Sequence, residues 1–273
     1  MPKELTSGTR LDQFRAKISR RPEAVRILTE GDSWFAFPLP SRPNIPDHLI
    51  TAFAGKAAWL RLESIGDEVV EMLVGDQRNR LRKLLADEDL NFEALLFSGG
   101  GNDLVGENLA PLLNDFRPGM EWRDCINLPA FWRRLGQLED AYLTLIELRD
   151  ELRPQCKLFV HAYDFAVPDG RPVRVKFLFE ILTLGPWMRP AFERRGIRDA
   201  VMQRQVIRYL LEQFGELMAK LDQTEFDNVI YVRTQGTLAD GDWGDELHPT
   251  RAGFAKLAGK FQAALEKEFP DRL

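Results

Sequence analysis

Cysteine is scarce in this chain, which has only Cys125 and Cys156 among its 273 residues. The two cysteines do not have the spacing of metal-binding cysteine motifs. They are too few for a disulfide framework, although a single disulfide between them is possible. An excess of basic residues is also absent, because 37 lysines and arginines stand against 42 acidic residues, for a net charge of −5. Without a basic tract, this balance gives no general attraction to nucleic acid or to an anionic membrane.

Long apolar runs are missing too. No run approaches the roughly 20 residues that a helix needs to cross a bilayer. Residues 1–21 are polar and mixed in charge, unlike a secretory signal. We therefore expect no transmembrane segment and a cytoplasmic protein. An apolar fraction of 44% and a charged fraction of 29% are typical of a globular protein with a sizeable core.

Short apolar runs alternate with longer segments of helical period along the chain. The runs that indicate strands are residues 25–29, 57–62, 94–97, 158–162 and 229–232. The segments that indicate amphipathic helices are residues 131–152, 207–221 and 254–265. Such alternation predicts an α/β protein with a mostly parallel sheet covered on both faces.

Two connections are longer than this alternation requires. They are residues 104–128 and 164–198, and both contain prolines and glycines. Long connections in a compact domain are often lids or binding loops. We therefore expect one domain over residues 1–273, with lid or substrate-binding insertions at these two places.

A candidate nucleophile follows the first predicted strand. Ser33 is preceded by Gly31 and Asp32, and Gly66 and Asn102 likewise follow predicted strands. Since ligands of parallel α/β sheets bind outside the carboxyl ends of the strands, these residues should reach one edge of the sheet. There, backbone N–H groups of Ser33 and Gly66 and the Asn102 amide are candidate donors to an oxyanion.

A serine nucleophile needs a base, and histidine suits this task at neutral pH. The chain has three histidines. His48 follows a proline-rich stretch that indicates a surface loop, and His161 lies within a predicted strand. His248 comes after an acidic, glycine-rich loop and before the last helix, so it is the best candidate for the base.

The loop before His248 offers several acids that can orient it. Asp245 lies three residues before the histidine and can accept the Nδ1 hydrogen, which fixes the tautomer. Asp240 and Asp242 are rivals for that role. All three also fit a solvated acidic turn.

Four sequence blocks, in this order, resemble the SGNH hydrolase superfamily, also called GDSL-type esterases and lipases. The blocks are residues 31–33 (Gly-Asp-Ser), 64–67 (Ser-Ile-Gly-Asp), 100–103 (Gly-Gly-Asn-Asp) and 245–249 (Asp-Glu-Leu-His-Pro). The resemblance implies a flavodoxin-like three-layer α/β/α sandwich with a five-stranded parallel sheet in the order 2-1-3-4-5. It also implies a serine esterase that needs no metal and no cofactor.

Carried onto this sequence, the resemblance implies a role for each matching residue. Ser33 is then the nucleophile, His248 the base and Asp245 the orienting acid. Ser33 N–H, Gly66 N–H and Asn102 bind the oxyanion. Asp32 supports the turn of the nucleophile without taking part in the chemistry.

The predicted activity is hydrolysis of carboxylic ester bonds in a small-molecule substrate. Acyl transfer to an acceptor other than water stays open, because the same triad serves both reactions. A non-catalytic binding module of the same fold is a further alternative. A metal-dependent phosphoesterase is disfavoured, because such a site needs several converging histidines and carboxylates. The acyl chain, the alcohol and the oligomeric state are left open.

Overall fold

A parallel β-sheet forms the centre of the protein. The computed structural model describes residues 7–39, 41–177, 180–223 and 226–273. Within these ranges the strands are β1 (Val25–Gly31), β2 (Ala57–Arg61), β3 (Ala94–Ser98), β4 (Lys157–His161), β5 (Val173–Phe177), β6 (Glu180–Leu184) and β7 (Val229–Val232). The central sheet has the order β2-β1-β3-β4-β7, and all of its pairings are parallel. Counted along this sheet alone, its strands have the predicted order 2-1-3-4-5.

Helices cover the sheet on both sides, as predicted. In the described ranges they are α1 (Ser7–Arg20), α2 (Ser33–Ala36), α3 (Ile45–Ala52), α4 (Val69–Met72), α5 (Gly75–Ala86), α6 (Gly101–Leu104), α7 (Leu128–Leu152), α8 (Arg189–Arg194), α9 (Ala200–Gln223) and α10 (Arg251–Glu268). Helix α3 packs with α10, whereas α5 and α9 pack with α7. The fold is therefore the predicted three-layer α/β/α sandwich.

The apolar runs become strands because both faces of the sheet are covered. Every residue of β3 is buried, so its first four residues form a continuous apolar run rather than an alternating pattern. Helix α10 begins where predicted, because Thr250 Oγ1 accepts the Gly253 N–H at 3.1 Å. No helix in the described part of the chain has the length and apolar character that crossing a bilayer requires.

The two long connections carry structure of their own. A 3₁₀ helix spans Gly106–Leu112 in the first. In the second, β5 and β6 form an antiparallel hairpin outside the central sheet. Residues 178 and 179 of this connection lie outside the described residues. The hairpin was not predicted, although residues 173–177 alternate between apolar and basic side chains as a strand does.

His48 lies on helix α3 and is half-buried, so its prediction as a surface loop residue is wrong. The preceding prolines suggested a loop. Pro46, however, stands in the first turn of the helix, where a missing N–H costs nothing. Asn44 caps this helix by accepting the Asp47 N–H at 3.1 Å.

Candidate active site

The turn that carries Ser33 is fixed by a close approach between β1 and β3. A Cβ at Gly31 would lie 2.6 Å from the carbonyl oxygen of Ser98, so no larger residue fits there without a shift. The Asp32 N–H donates to the same carbonyl at 3.0 Å. The Asp32 carboxylate then accepts the Trp34 N–H at 3.0 Å and caps α2, which begins at Ser33. Ser33 is thereby held just beyond the carboxyl end of β1.

Asp32 is buried within a polar cluster below this turn. Its carboxylate accepts hydrogen bonds from the Tyr163 hydroxyl and from Ser98 Oγ. Burial raises the pKa of Asp32 to about 6, although the bonds from Tyr163, Trp34 N–H and Ser98 lower it. These contacts place Asp32 in support of the nucleophile turn, as the sequence predicts.

Ser33, His248 and Asp245 form one line of hydrogen bonds. Ser33 Oγ lies 2.9 Å from His248 Nε2, across 215 positions of sequence. His248 Nδ1 lies 2.8 Å from Asp245 Oδ1. The rival acids have other partners, because Asp242 pairs with Lys256 and Asp240 pairs with Arg204. The structure thus brings together the three residues predicted as nucleophile, base and orienting acid.

Asp245 is fully buried and has four hydrogen-bond donors. The N–H groups of Leu247 and His248 donate to Oδ1 at 3.0 and 2.9 Å, beside the imidazole. Arg42 Nη1 donates to Oδ2 at 2.9 Å. Burial raises the pKa of Asp245, but the hydrogen bonds from His248 and from the two N–H groups bring it below its ordinary value. Asp245 therefore stays ionised beside the imidazole.

Aromatic side chains hold the His248 ring in place. The Phe37 ring lies 4.7 Å from the imidazole, centroid to centroid, and Trp187 meets it edge to face at 5.2 Å. The Arg42 guanidinium lies 4.8 Å above the Phe37 ring, so one arginine supports both the acid and the aromatic wall. Arg42 was missed from sequence because it contacts Asp245 across 203 positions.

Glu246, next to the orienting acid, ties the second long connection to this loop. Its buried carboxylate accepts the N–H groups of Trp187 and Met188 at 2.6 and 2.7 Å. It also accepts the N–H groups of Gly170 and Arg189 at 2.9 and 3.1 Å. Because these bonds fix the backbone of Trp187, they also place its ring against His248.

The three predicted oxyanion donors do not all lie beside the same cavity. A small cavity beside the triad is lined by Ser33 and Asn102, together with Tyr163 and Asp164, and Gly66 is not among its lining residues. Gly66 lies exposed after β2, with a φ of +81° that favours glycine. The Asn102 amide donates to the Asp67 carbonyl at 3.0 Å, which links it to the loop of Gly66.

His161 lies at the end of β4 and is fully buried. Its ring stacks on Trp34 and on Phe35, and Nε2 lies 2.9 Å from Ser98 Oγ. Burial lowers the pKa of His161 to about 4. These contacts make it a hydrogen-bonded core histidine.

Among the described residues, no group of three or more His, Cys, Asp or Glu side chains is arranged to hold a metal ion. Cys125 and Cys156 are both buried and unbridged. The disulfide that the sequence left open is therefore not formed.

Solved structures resemble this chain in fold rather than in sequence. No protein-family model and no curated protein matches the chain. The lipase Lip_vut3 from a goat rumen metagenome has a TM-score of 0.53 and 11% identity, over 88% of this chain and 97% of that chain. An extracellular lipase from Streptomyces rimosus has a TM-score of 0.51 and 13% identity, over 88% of this chain and 100% of that chain. The chain therefore shares its fold with these two solved structures.

Proposed function

We propose that this protein is a serine esterase that hydrolyses carboxylic ester bonds through an acyl-enzyme on Ser33. The observation that carries the proposal is the line of hydrogen bonds from Ser33 Oγ through His248 to Asp245, at 2.9 and 2.8 Å. A serine hydroxyl becomes a useful nucleophile when a base can take its proton and an acid orients that base. Two proteins that share the fold are described as lipases, which favours the same class of reaction.

The reaction proceeds in two steps. Ser33 Oγ attacks the carbonyl carbon of the ester while His248 Nε2 accepts the hydroxyl proton. His248 then donates this proton to the alcohol oxygen as the C–O bond breaks, and the alcohol leaves. Water attacks the acyl-enzyme by the same route and releases the carboxylic acid. Asp245 holds the Nδ1 proton and stabilises the imidazolium that forms in each step.

The oxyanion is bound by the Ser33 N–H group and the Asn102 amide. The Gly66 N–H is the third proposed donor, although Gly66 is not among the residues that line the cavity; its loop is linked to Asn102 through the Asp67 carbonyl. Ser33 is the first residue of α2, and N–H groups in the first turn of a helix have no partner within the helix. The Asn102 amide has two hydrogens, and the bond to Asp67 uses one of them. The second is available to the oxyanion beside the cavity that Asn102 lines.

The chain acts as one domain whose two long connections form walls of the site. Val105 of the first connection and Ala166 of the second line the cavity beside Ser33. Trp187, also from the second connection, stands against the His248 ring. These segments therefore serve substrate binding.

Hydrolysis of p-nitrophenyl acetate in the presence of EDTA tests the proposal. We expect Ser33→Ala to lower kcat by at least about 10⁴-fold, because a triad acts as a unit. Ser98→Ala is the matched control, since it removes another buried serine hydroxyl that contacts a histidine. A Ser33→Ala protein within tenfold of wild type, or wild-type activity abolished by EDTA, would contradict the proposal.

A further inference from the structure

The cavity beside Ser33 is very small. Its volume is about 20 Å³, whereas a site for one water molecule needs roughly 10–15 Å³ and pockets for drug-sized ligands have roughly 300–1,000 Å³. Ser33 and Asn102 contribute to its lining, so it lies where an ester carbonyl would be held. This volume fits a group of about the size of a methyl group.

The position of His248 assigns this cavity to the acyl part of an ester bound at Ser33. His248 must protonate the departing alcohol oxygen, so the alcohol leaves on the side of the imidazole. His248 is not among the residues that line the cavity. Phe37 and Trp187, which contact the imidazole, are not among them either. With the carbonyl oxygen at Asn102, the remaining substituent of the carbonyl carbon is the acyl chain, and it points into the cavity.

One wall of the cavity is the ring of Tyr163, and this ring is fixed on several sides. Its hydroxyl is bonded to Asp32 and lies 3.3 Å from Ser98 Oγ. A Cβ at Gly101 would come within 2.8 Å of the ring, so the ring already lies against that backbone. On its other side the ring stacks with Phe214. The wall cannot recede without breaking these contacts.

Asp164 forms another fixed part of the lining. Its carboxylate accepts the N–H groups of Gly236 and Leu238 at 2.6 Å each, and that of Thr237 at 2.9 Å. The Phe165 N–H donates to it at 2.8 Å. Because these bonds hold the carboxylate to the loop after β7, Asp164 cannot swing away to admit a longer chain.

Leu211 of α9 and Val105 contribute branched apolar side chains to the lining, beside Trp34, Ala166 and Leu247. Leu211 is fully buried, and the Leu211 carbonyl accepts a hydrogen bond from the Gln235 side chain. Val105 is 4% exposed, and its N–H donates to the Gly101 carbonyl at 2.9 Å. Branched apolar side chains at the cavity suit the methyl of an acetyl group.

We propose that the Ser33 site is specific for esters of acetic acid, and that Leu211 and Val105 limit the length of the acyl chain. This inference rests on the proposed function, since it concerns the substrate of the same nucleophile. The alcohol is placed on the His248 side, between Phe37 and Trp187. In a rigid apolar pocket, one methylene too many lowers kcat/KM by roughly 10- to 200-fold.

The test is a series of p-nitrophenyl acetate, butyrate and octanoate, with the rate of Ser33→Ala subtracted. We expect wild-type kcat/KM to fall by at least about tenfold from acetate to butyrate, and further to octanoate. Leu211→Ala should move the optimum to butyrate. The control is Leu210→Ala, because Leu210 is as fully buried on the same helix but is not among the lining residues. Leu210→Ala should keep the preference for acetate.

Thermal unfolding of each variant shows whether it has folded. If Leu211→Ala is unfolded, Val105→Ala takes its place, since it opens the same end of the cavity with a smaller truncation. Ser33-dependent hydrolysis of octanoate as fast as of acetate overturns the inference and leaves the esterase proposal intact. A cavity variant with the same chain-length profile as Leu210→Ala also overturns it. No Ser33-dependent hydrolysis of any ester overturns the proposed function and the inference together.

Discussion

Two serine–histidine pairs lie in this protein, and they have the same geometry at the hydroxyl. Ser33 Oγ is 2.9 Å from His248 Nε2, and Ser98 Oγ is 2.9 Å from His161 Nε2. The two pairs differ in the group that faces the other ring nitrogen, Nδ1, of each imidazole. His248 Nδ1 faces the buried carboxylate of Asp245, whereas His161 Nδ1 faces a backbone carbonyl at 3.2 Å.

The surroundings of the two pairs differ as well. His161 is enclosed by aromatic rings, and burial lowers its pKa to about 4, so it stays neutral near pH 7. Ser98 Oγ is also bonded to Asp32 at 3.1 Å and is fully buried. Ser33, by contrast, lines a cavity. A serine–histidine distance therefore does not identify a nucleophile, because an acid behind the base and room for a substrate are needed too.

Replacing Asp245 removes the carboxylate that faces His248 Nδ1. The Ser33–His248 pair should then be as inactive as the Ser98–His161 pair. We expect Asp245→Asn to lower kcat for acetyl esters by about 10⁴-fold, because an amide favours the wrong imidazole tautomer. Asp242→Asn is the control, since that carboxylate binds Lys256 rather than His248. Steady-state kinetics of both variants, with circular dichroism to verify folding, checks the prediction. Equal activity of the two variants would contradict it.

Asn102, the proposed oxyanion donor, lines the cavity beside Ser33. Asn102→Ala should lower kcat by roughly 10²- to 10³-fold, since one preorganised donor is lost in the transition state. The effect should appear in kcat more than in KM. Asn114→Ala serves as control, because its amide bonds to the backbone of the first connection and it is not among the cavity-lining residues. Near-normal kcat in Asn102→Ala would remove that residue from the mechanism.

His161 should affect the stability of the protein rather than its catalytic turnover. The pKa of His161 is about 4 in the folded protein against 6.5 for an unperturbed histidine, so the unfolded chain binds more protons between these pH values and stability falls as pH falls. Relative to His161→Gln, wild type should lose about 2 kcal/mol of unfolding free energy between about pH 7.5 and 4.5. The raised pKa of Asp32 acts with the opposite sign, but it is present in both proteins. Urea unfolding at several pH values measures the difference, and a difference that does not vary with pH would contradict the assignment.

Most of the fold follows from local sequence signals. Each strand of the central sheet is an apolar run, and α7 and α9 have clear helical period, so their existence and order are predictable. Helix α1 is weaker in sequence, because few apolar residues, such as Leu11, Phe14 and Ile18, mark its buried side. The hairpin of β5 and β6 was missed because its alternating residues lie within a segment rich in proline and glycine.

The residues of the candidate site also differ in how far the sequence predicts them. Ser33, Asn102 and His248 lie in short motifs, so sequence alone singles them out. Asp245 had Asp240 and Asp242 as rivals in its loop; the resemblance singled out Asp245, and the fold shows that it faces the imidazole. Arg42 carries no local signal, because its role depends on a contact with a residue 203 positions away in the sequence.

The most direct test of the account is covalent labelling with a fluorophosphonate, followed by mass spectrometry of the modified peptide. Such a probe reacts with a serine that a base has activated. We predict stoichiometric label on Ser33, none on Ser98, loss of label in Ser33→Ala and His248→Ala, and retention in Ser98→Ala. Label on Ser98, or wild-type protein that stays unlabelled while folded, would contradict the claim that only the Ser33 pair is a nucleophile.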